Sequence, residues 1–235
     1  ATEPLYGGKF TRRVTINDLQ LAKDRGERWP MLTSYDMYTA EIFDEAGIPV
    51  LLVGDSAGNN VFAHPDTVPV TVDELIPLTR AVVRSTSRAL IVGDLPFGSY
   101  QLGPEQGLGT AIRFMKEAGV QAVKLEGGLP VVPTVERIVE AGIPVMAHVG
   151  FTPQSVNGIG GYRVQGRGEA AEQVLADAHA VLDLRDGIAT DQWNRLHPAE
   201  ERTTSIVAEA LADADGPFVA VTDYREDVAA RPAWL

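Results

Sequence analysis

The chain has 235 residues, with 20 Lys and Arg against 32 Asp and Glu, and a formal net charge of −12. Nucleic acids and anionic membranes bind clustered cations, and the sequence has no such cluster, so we exclude both partners and expect a small-molecule ligand. The chain has no cysteine and no apolar run near the ~20 residues of a membrane span, and we expect no secretion signal. We therefore expect a cytoplasmic protein.

Short apolar runs alternate with helical patterns along most of the chain. The first ten residues are rich in glycine and polar side chains, which predicts a loose arm or an oligomer contact. A capping box at Thr71 and Glu74 predicts the start of one helix, and Glu-Ala-Gly recurs three times between a helix and a strand. The patterns predict strands over 29–33, 50–53, 89–94, 121–125 and 143–148, and helices over 15–23, 37–46, 71–85, 104–118, 131–141 and 169–181.

This alternation implies a parallel sheet, which either a doubly wound fold or a (β/α)₈ barrel would supply. We favour the barrel, because four successive strands end on polar residues and a barrel brings such ends together around a ring. Residues 183–198 contain no strand of the earlier kind where a sixth is due, although residues 218–221 could form a later strand. The barrel is therefore expected to be incomplete or irregular after its fifth or sixth unit. We divide the chain into a barrel domain over 1–181 that carries the site and an atypical C-terminal segment over 182–235.

Three carboxylates at predicted strand ends are the candidate metal ligands: Asp55, Asp94 and Glu126. A single acid at such a position most often caps the following helix. Three acids at equivalent positions favour a metal or substrate site, and hard oxygen ligands suit Mg²⁺. A substrate with adjacent carboxylate and carbonyl oxygens would chelate that metal, which would acidify its α-carbon.

Two further residues of the predicted strands have side chains suited to catalysis or ligand binding. Lys124 lies inside an apolar strand, where it would form a buried ion pair with Glu126, bind a carboxylate or enolate oxygen, or act as a Schiff-base lysine. His148 ends its strand and precedes a glycine-rich loop over 150–168, so both a structural role and hydrogen bonding to a ligand remain open.

Five long motifs occur in order along the chain: MLTSYD (31–36), FDEAGIPVLLVGDS (43–56), GDLPFGSY (93–100), VKLEGG (123–128) and PVMAHVGFTPQ (144–154). Together they resemble the ketopantoate hydroxymethyltransferase family over residues 11–181. That family is a (β/α)₈ barrel of the phosphoenolpyruvate/pyruvate superfamily and is usually decameric. It uses Mg²⁺ and 5,10-methylenetetrahydrofolate to hydroxymethylate the keto acid 3-methyl-2-oxobutanoate in pantothenate synthesis.

The resemblance implies roles for the candidate residues. It makes Asp55 and Asp94 ligands of Mg²⁺ that also contact the substrate, with Glu126 close to the metal. The other keto-acid contacts would be Ser56, Lys124 and His148. The segment GGYRVQG (160–166) resembles the family's flap, and a homo-oligomer is implied.

The chain departs from this family after residue 181. The family's sixth strand carries a glutamate that acts as the general base, and this motif does not occur here, so we assign no general base. Segments DQWNRLHP (191–198) and GPFVAVTDY (216–224) instead resemble a piece of the homodimeric pyruvate dehydrogenase E1 component. The alternative function is therefore a noncatalytic remnant or assembly module that binds the keto acid and the metal.

Overall fold

A computed structural model describes residues 4–7, 11–168 and 170–196. Five short strands alternate with helices over these residues. In chain order the elements are α1 (Ile16–Asp24), β1 (Met31–Thr33), α2 (Met37–Glu45), β2 (Val50–Val53), α3 (Ala57–Asn60), α4 (Val72–Ser85), β3 (Leu90–Asp94), α5 (Pro104–Arg113), β4 (Ala122–Glu126), α6 (Val132–Glu140), β5 (Val145–His148) and α7 (Ala170–Leu196). A π-helical turn, Phe114–Ala118, extends α5.

The strands form one sheet in the order β1-β2-β3-β4-β5, and the first four pair in parallel. The register places Leu52 beside Val92, and Asp94 beside Lys124. Every residue of β2, β3 and β4 is buried, as expected for strands covered on both faces. The predicted parallel α/β sheet is confirmed.

Local signals place the helix ends where the sequence predicts them. Thr71 and Glu74 form the expected capping box at the start of α4, and Thr15 and Asp18 form a second one at the start of α1. Gly47 follows α2 with a φ of 83°, a left-handed conformation that glycine adopts without strain. The short helix α3 was not predicted, since four residues give no periodic pattern.

Apolar side chains of the inner strands pack against the N-terminal region. Val50, Leu52, Leu90 and Val92 form a buried cluster with side chains that include Leu5, which is 1% exposed. The prediction of a loose arm is wrong at this position, because burying one leucine contributes about 2 kcal/mol and holds the segment.

The last helix is longer than predicted. Helix α7 runs to Leu196, so the expected end at residue 181 is wrong. Seven of the fifteen residues over 182–196 are good helix formers, and the single interior glycine, Gly187, costs only about 1 kcal/mol. Within the described part of the chain no strand follows β5, which agrees with the expected irregularity. The E1-like matches over 197–198 and 216–224 lie outside the described residues.

The chain divides into two compact units. One comprises Ala1–Leu125 with Pro133–Met146, and the other Glu126–Val132 with Ala147–Leu235. The predicted boundary at residue 181 stays a prediction, since most of the segment beyond it is not described. Among the described helices, none combines the length and apolar character that a bilayer span needs.

Candidate active site

Most predicted site residues lie at or just beyond the carboxyl end of a strand, and Lys124 lies in the middle of β4 beside the last residue of β3. Asp55 follows β2, Asp94 ends β3, Lys124 and Glu126 lie on β4, and His148 ends β5. In barrels of parallel strands, these ends carry the catalytic groups. The residues form two clusters, one in each compact unit.

The first cluster, termed the Asp94 cluster, comprises Asp55, Asp94 and Lys124. The ammonium Nζ of Lys124 donates to both carboxylate oxygens of Asp94, at 2.9 Å each. The backbone N–H of Asp55 donates to Oδ2 of Asp94 at 3.1 Å. The ion pair between Lys124 and Asp94 is possible because these residues are direct neighbours in the parallel register, so their side chains share one face.

All three members of the Asp94 cluster are buried. Asp94 is 1% exposed, Asp55 3% and Lys124 9%. Removing a charge from water is costly unless an opposite charge and hydrogen bonds compensate it, and Lys124 supplies both to Asp94. The structure thus pairs Lys124 with an acid on the neighbouring strand, a partner that the sequence analysis did not consider.

Ser56 belongs to a separate hydroxyl network beside β2. Its Oγ shares a hydrogen bond of 2.7 Å with the hydroxyl of Tyr35, which accepts from Nδ2 of Asn60 at 2.9 Å. A Cβ on Gly54 would lie 2.8 Å from Ser56 Oγ and 3.6 Å from Asp94 Oδ2, so glycine leaves room for both groups. Sequence reasoning assigned no role to Tyr35, although its position just after β1 follows the strand-end rule.

The residue after Tyr35 holds this loop in place. The carboxylate of Asp36 caps α2 by accepting from the backbone N–H groups of Thr39 and Tyr38 and from the Thr39 hydroxyl. The backbone and hydroxyl hydrogen bonds from Thr39, followed by that from Tyr38, lower the pKa of Asp36. The cap therefore fixes the start of α2 immediately beside Tyr35.

The second cluster, termed the Glu126 cluster, comprises Glu126, His148 and Gln154. Oε1 of Glu126 lies 3.2 Å from Nδ1 of His148, and Oε2 accepts from the backbone N–H of Gln154 at 2.9 Å. Ionised Glu126 can only accept, so this contact places a proton on Nδ1. The role of the Gln154 backbone was not predicted, because a contact of this kind depends on the path of the loop after β5.

The other ring nitrogen of His148 is Nε2. It is buried and has no hydrogen-bond partner among the described residues. Buried polar atoms are nearly always hydrogen-bonded in proteins, so we expect this nitrogen to form a hydrogen bond with a ligand atom or an ordered water. The glutamate orients the imidazole, and the opposite ring nitrogen is available to a ligand.

Helix α7 contacts the loop that follows Glu126. The backbone N–H of Leu129 donates to Oδ1 of Asp177 at 3.0 Å. A Cβ on Gly128 would overlap the side chain of Asp177, so only glycine permits this approach. The start of α7 is thereby attached to the loop beside the Glu126 cluster.

The predicted Mg²⁺ ligands suit an open metal site rather than a closed cage. Among the described residues, no three acidic, histidine or cysteine side chains are grouped so that they could hold a metal ion. Mg²⁺ is usually bound through one or two carboxylates together with waters and substrate oxygens, and Asp55 and Asp94 offer this donor set. The metal-binding roles of Asp55, Asp94 and Glu126 stay predictions.

Solved structures with a similar fold include two enzymes. The match to phosphonopyruvate hydrolase has a TM-score of 0.54 with 14% identity, and covers 73% of this chain and 60% of that one. The match to 2,3-dimethylmalate lyase, a member of the PEP mutase/isocitrate lyase superfamily, has a TM-score of 0.52 with 16% identity and covers 72% and 60%. These likenesses and the parallel sheet confirm the predicted fold class, an α/β fold of the (β/α)-barrel type.

The sequence places the chain more narrowly within that class. The pattern of the ketopantoate hydroxymethyltransferase family matches residues 13–185, and the chain belongs to this family. It is 69% identical over 175 residues to the 3-methyl-2-oxobutanoate hydroxymethyltransferase of Thermobifida fusca, covering 74% of this chain and 62% of the relative. The enzyme of the same name from Saccharopolyspora erythraea is 65% identical over 182 residues, covering 77% and 62%. The chain thus spans a little under two thirds of these relatives.

Proposed function

We propose that this chain provides the keto-acid and metal site of a 3-methyl-2-oxobutanoate hydroxymethyltransferase. The Asp94 cluster carries the proposal, because it sets two buried carboxylates and an ammonium at the ends of three successive strands. The predicted reaction transfers a one-carbon unit from 5,10-methylenetetrahydrofolate to the α-carbon of 3-methyl-2-oxobutanoate and gives 2-dehydropantoate. Mg²⁺, a cytoplasmic location and a homo-oligomer are parts of the same proposal.

The charge of each site residue suggests its role in the proposed reaction. Asp55 and Asp94 would hold a divalent cation, which would supply the Lewis acidity that makes the α-carbon of the keto acid more acidic. Lys124 would bind an anionic oxygen of the keto acid, and Ser56 would donate its hydroxyl while Tyr35 holds it in position. His148 would face the substrate through Nε2, with Glu126 fixing the ring.

Lys124 fits a charge-stabilising role better than a Schiff-base role. Both oxygens of Asp94 hold its ammonium group, and a protonated, ion-paired amine is a poor nucleophile. We therefore expect that borohydride in the presence of the keto acid will not trap an imine at Lys124. A trapped adduct would favour an aldolase of the same superfamily.

The general base is the part of the reaction for which no residue of this chain is assigned. The family's glutamate lies on a sixth strand, whereas residues 182–196 of this chain continue helix α7. Loss of a general base typically lowers a rate about 10²–10⁴-fold. Turnover is therefore expected to be lower than in the relatives by a factor of this size.

The test is an assay of 2-dehydropantoate formation with Mg²⁺, 3-methyl-2-oxobutanoate and 5,10-methylenetetrahydrofolate. The Thermobifida fusca enzyme serves as the positive control, and we expect turnover that depends on both Mg²⁺ and the folate. Calorimetric binding of the keto acid without any turnover would favour the noncatalytic remnant or assembly module. No turnover and no binding would overturn both functions.

The metal assignment has its own test. Asp94→Asn removes the charge at the centre of the Asp94 cluster, and we expect it to abolish Mn²⁺ binding detected by electron paramagnetic resonance. The matched control is Asp73→Asn, which removes a carboxylate that is 81% exposed on α4. Equal Mn²⁺ binding by the two variants would contradict the assignment.

A further inference from the structure

The ion pair between Lys124 and Asp94 has a geometry that bears on metal binding. Nζ lies at the same distance, 2.9 Å, from both carboxylate oxygens, so the ammonium group occupies the position between them. Oδ2 accepts a further hydrogen bond from the backbone N–H of Asp55. The ammonium group of Lys124 therefore neutralises the carboxylate that the proposed function assigns to a metal.

Two cations cannot share that carboxylate at low cost. Asp94 is 1% exposed and Lys124 9%, so little solvent screens a second positive charge placed beside the first. The repulsion between like charges a few ångströms apart is much larger at such a buried position than in water. A divalent cation that binds Asp94 must therefore compete with the ammonium group.

The side chain of lysine is suited to such a displacement. Its ammonium group is a compact charge on a flexible four-carbon stem, so it can leave one partner for another while the backbone stays in place. The backbone of Lys124 is fixed in β4, where its carbonyl accepts from Leu95 N at 2.8 Å. A carboxylate of the bound keto acid would offer the displaced ammonium a new partner.

We propose that Lys124 acts as an exchangeable counter-ion: it occupies Asp94 until a divalent cation displaces it, and the displaced ammonium group then binds the carboxylate of the 2-oxo acid. This inference rests on the proposed function, which supplies the metal at Asp94. Metal binding thereby prepares the anion site, and the chain favours binding of the metal before the acid. Without the lysine, the metal site is open but the acid loses its partner.

The direction in which the Mn²⁺ affinity changes when Lys124 is replaced separates this role from a purely structural one. We compare Mn²⁺ affinity, without keto acid, in the wild type, in Lys124→Met and in Lys116→Met, the last of which removes an exposed lysine of the π-helical turn. Removing a competitor strengthens metal binding, whereas removing a residue that only supports the site weakens it. We expect Lys124→Met to bind Mn²⁺ about 10-fold more tightly, as for a typical coupling between two sites, and Lys116→Met to match the wild type.

A second measurement uses the wild type and does not depend on the folding of a variant. Reductive methylation with formaldehyde and cyanoborohydride, followed by peptide mass spectrometry, reports the accessibility of each lysine amine. We expect Mg²⁺ to increase the labelling of Lys124 several-fold relative to Lys116, and added 3-methyl-2-oxobutanoate to reverse the increase. Unchanged labelling of Lys124 at saturating Mg²⁺ would overturn the inference.

The outcomes distinguish this inference from the proposed function. If Mn²⁺ binds the wild type and is lost in Asp94→Asn, but Lys124→Met binds it equally or more weakly, the counter-ion role is wrong and the metal site stands. If the wild type binds no more Mn²⁺ than Asp94→Asn, both the metal assignment and the counter-ion role are wrong.

Discussion

Two buried aspartate side chains lie near opposite ends of β3 and have different kinds of hydrogen-bond partner. Asp94 ends β3 and pairs with the movable ammonium group of Lys124. Asp44 lies on α2, is 6% exposed, and accepts from the backbone N–H groups of Ser87, Arg88 and Ala89 just before β3 begins. A carboxylate satisfied by backbone donors is a fixed structural element, whereas one satisfied by a flexible side chain can exchange its partner.

The residue-scale prediction concerns Asp44. Asp44→Ala leaves three backbone N–H groups without their acceptor, and each unsatisfied buried donor costs about 1–3 kcal/mol, so we expect a loss of roughly 3 kcal/mol in the free energy of unfolding. Urea denaturation measures it, with Glu45→Ala, an exposed neighbour on the same helix, as the control. A loss equal to that of the control would show that water replaces the carboxylate.

At the scale of elements, acidic caps hold the starts of three helices. Hydrogen bonds from Arg12 and Thr15 lower the pKa of Asp18 at α1, those from Thr39 lower the pKa of Asp36 at α2, and those from Thr71 lower the pKa of Glu74 at α4. Each carboxyl therefore binds its proton less readily in the folded chain than in the unfolded one. The stabilisation is complete above the unfolded pKa, near 4, and is lost as the pH falls through the folded pKa.

The element-scale prediction follows from the lowered pKa values of these carboxyl groups. We expect the free energy of unfolding, measured by urea denaturation, to fall between pH 5 and pH 3. Asp36→Asn keeps a good N-cap acceptor but removes the titrating charge, so it should reduce this fall, with lower stability than the wild type at pH 7 and similar stability at pH 3. Parallel pH profiles for the variant and the wild type would contradict a role for Asp36.

At the scale of the whole molecule, the chain forms two compact units that interleave in sequence. The polypeptide leaves the first unit after Leu125, returns at Pro133, and leaves again after Met146. Each unit has its own buried polar cluster: the Asp94 cluster in the first and the Glu126 cluster in the second. Units with separate contacts can open with different free energies.

The whole-molecule prediction is that hydrogen exchange will divide along this boundary. Asp44→Ala should accelerate amide exchange in the described parts of residues 4–125 and 133–146 more than in 126–132 and 147–196. Peptide-resolved mass spectrometry at neutral pH measures the rates, with Glu45→Ala as the control. Uniform acceleration along the chain would indicate a single cooperative unit instead.

Much of this architecture is predictable from the sequence because its determinants are local. Helix α4 begins at a capping box, α2 ends at Gly47, and β2 and β3 are short apolar runs that end on acids. The end of α7 was not predicted, because the helix has a weak periodic pattern of apolar residues. The network of Tyr35 and Asn60 around Ser56 depends on side chains from separate elements and was not predicted.

The sequence by itself determined that polar groups end successive strands, because apolar runs, caps and glycine turns act over a few residues. Only the tertiary structure decided which of these groups are partners. Lys124 binds Asp94, 30 residues away, because parallel register places the two side by side. Glu126 binds His148, which ends β5, and the backbone of Gln154, which the path of the chain after β5 brings to its carboxylate. Partner choice depends on register and loop path, and both are consequences of packing the whole sheet.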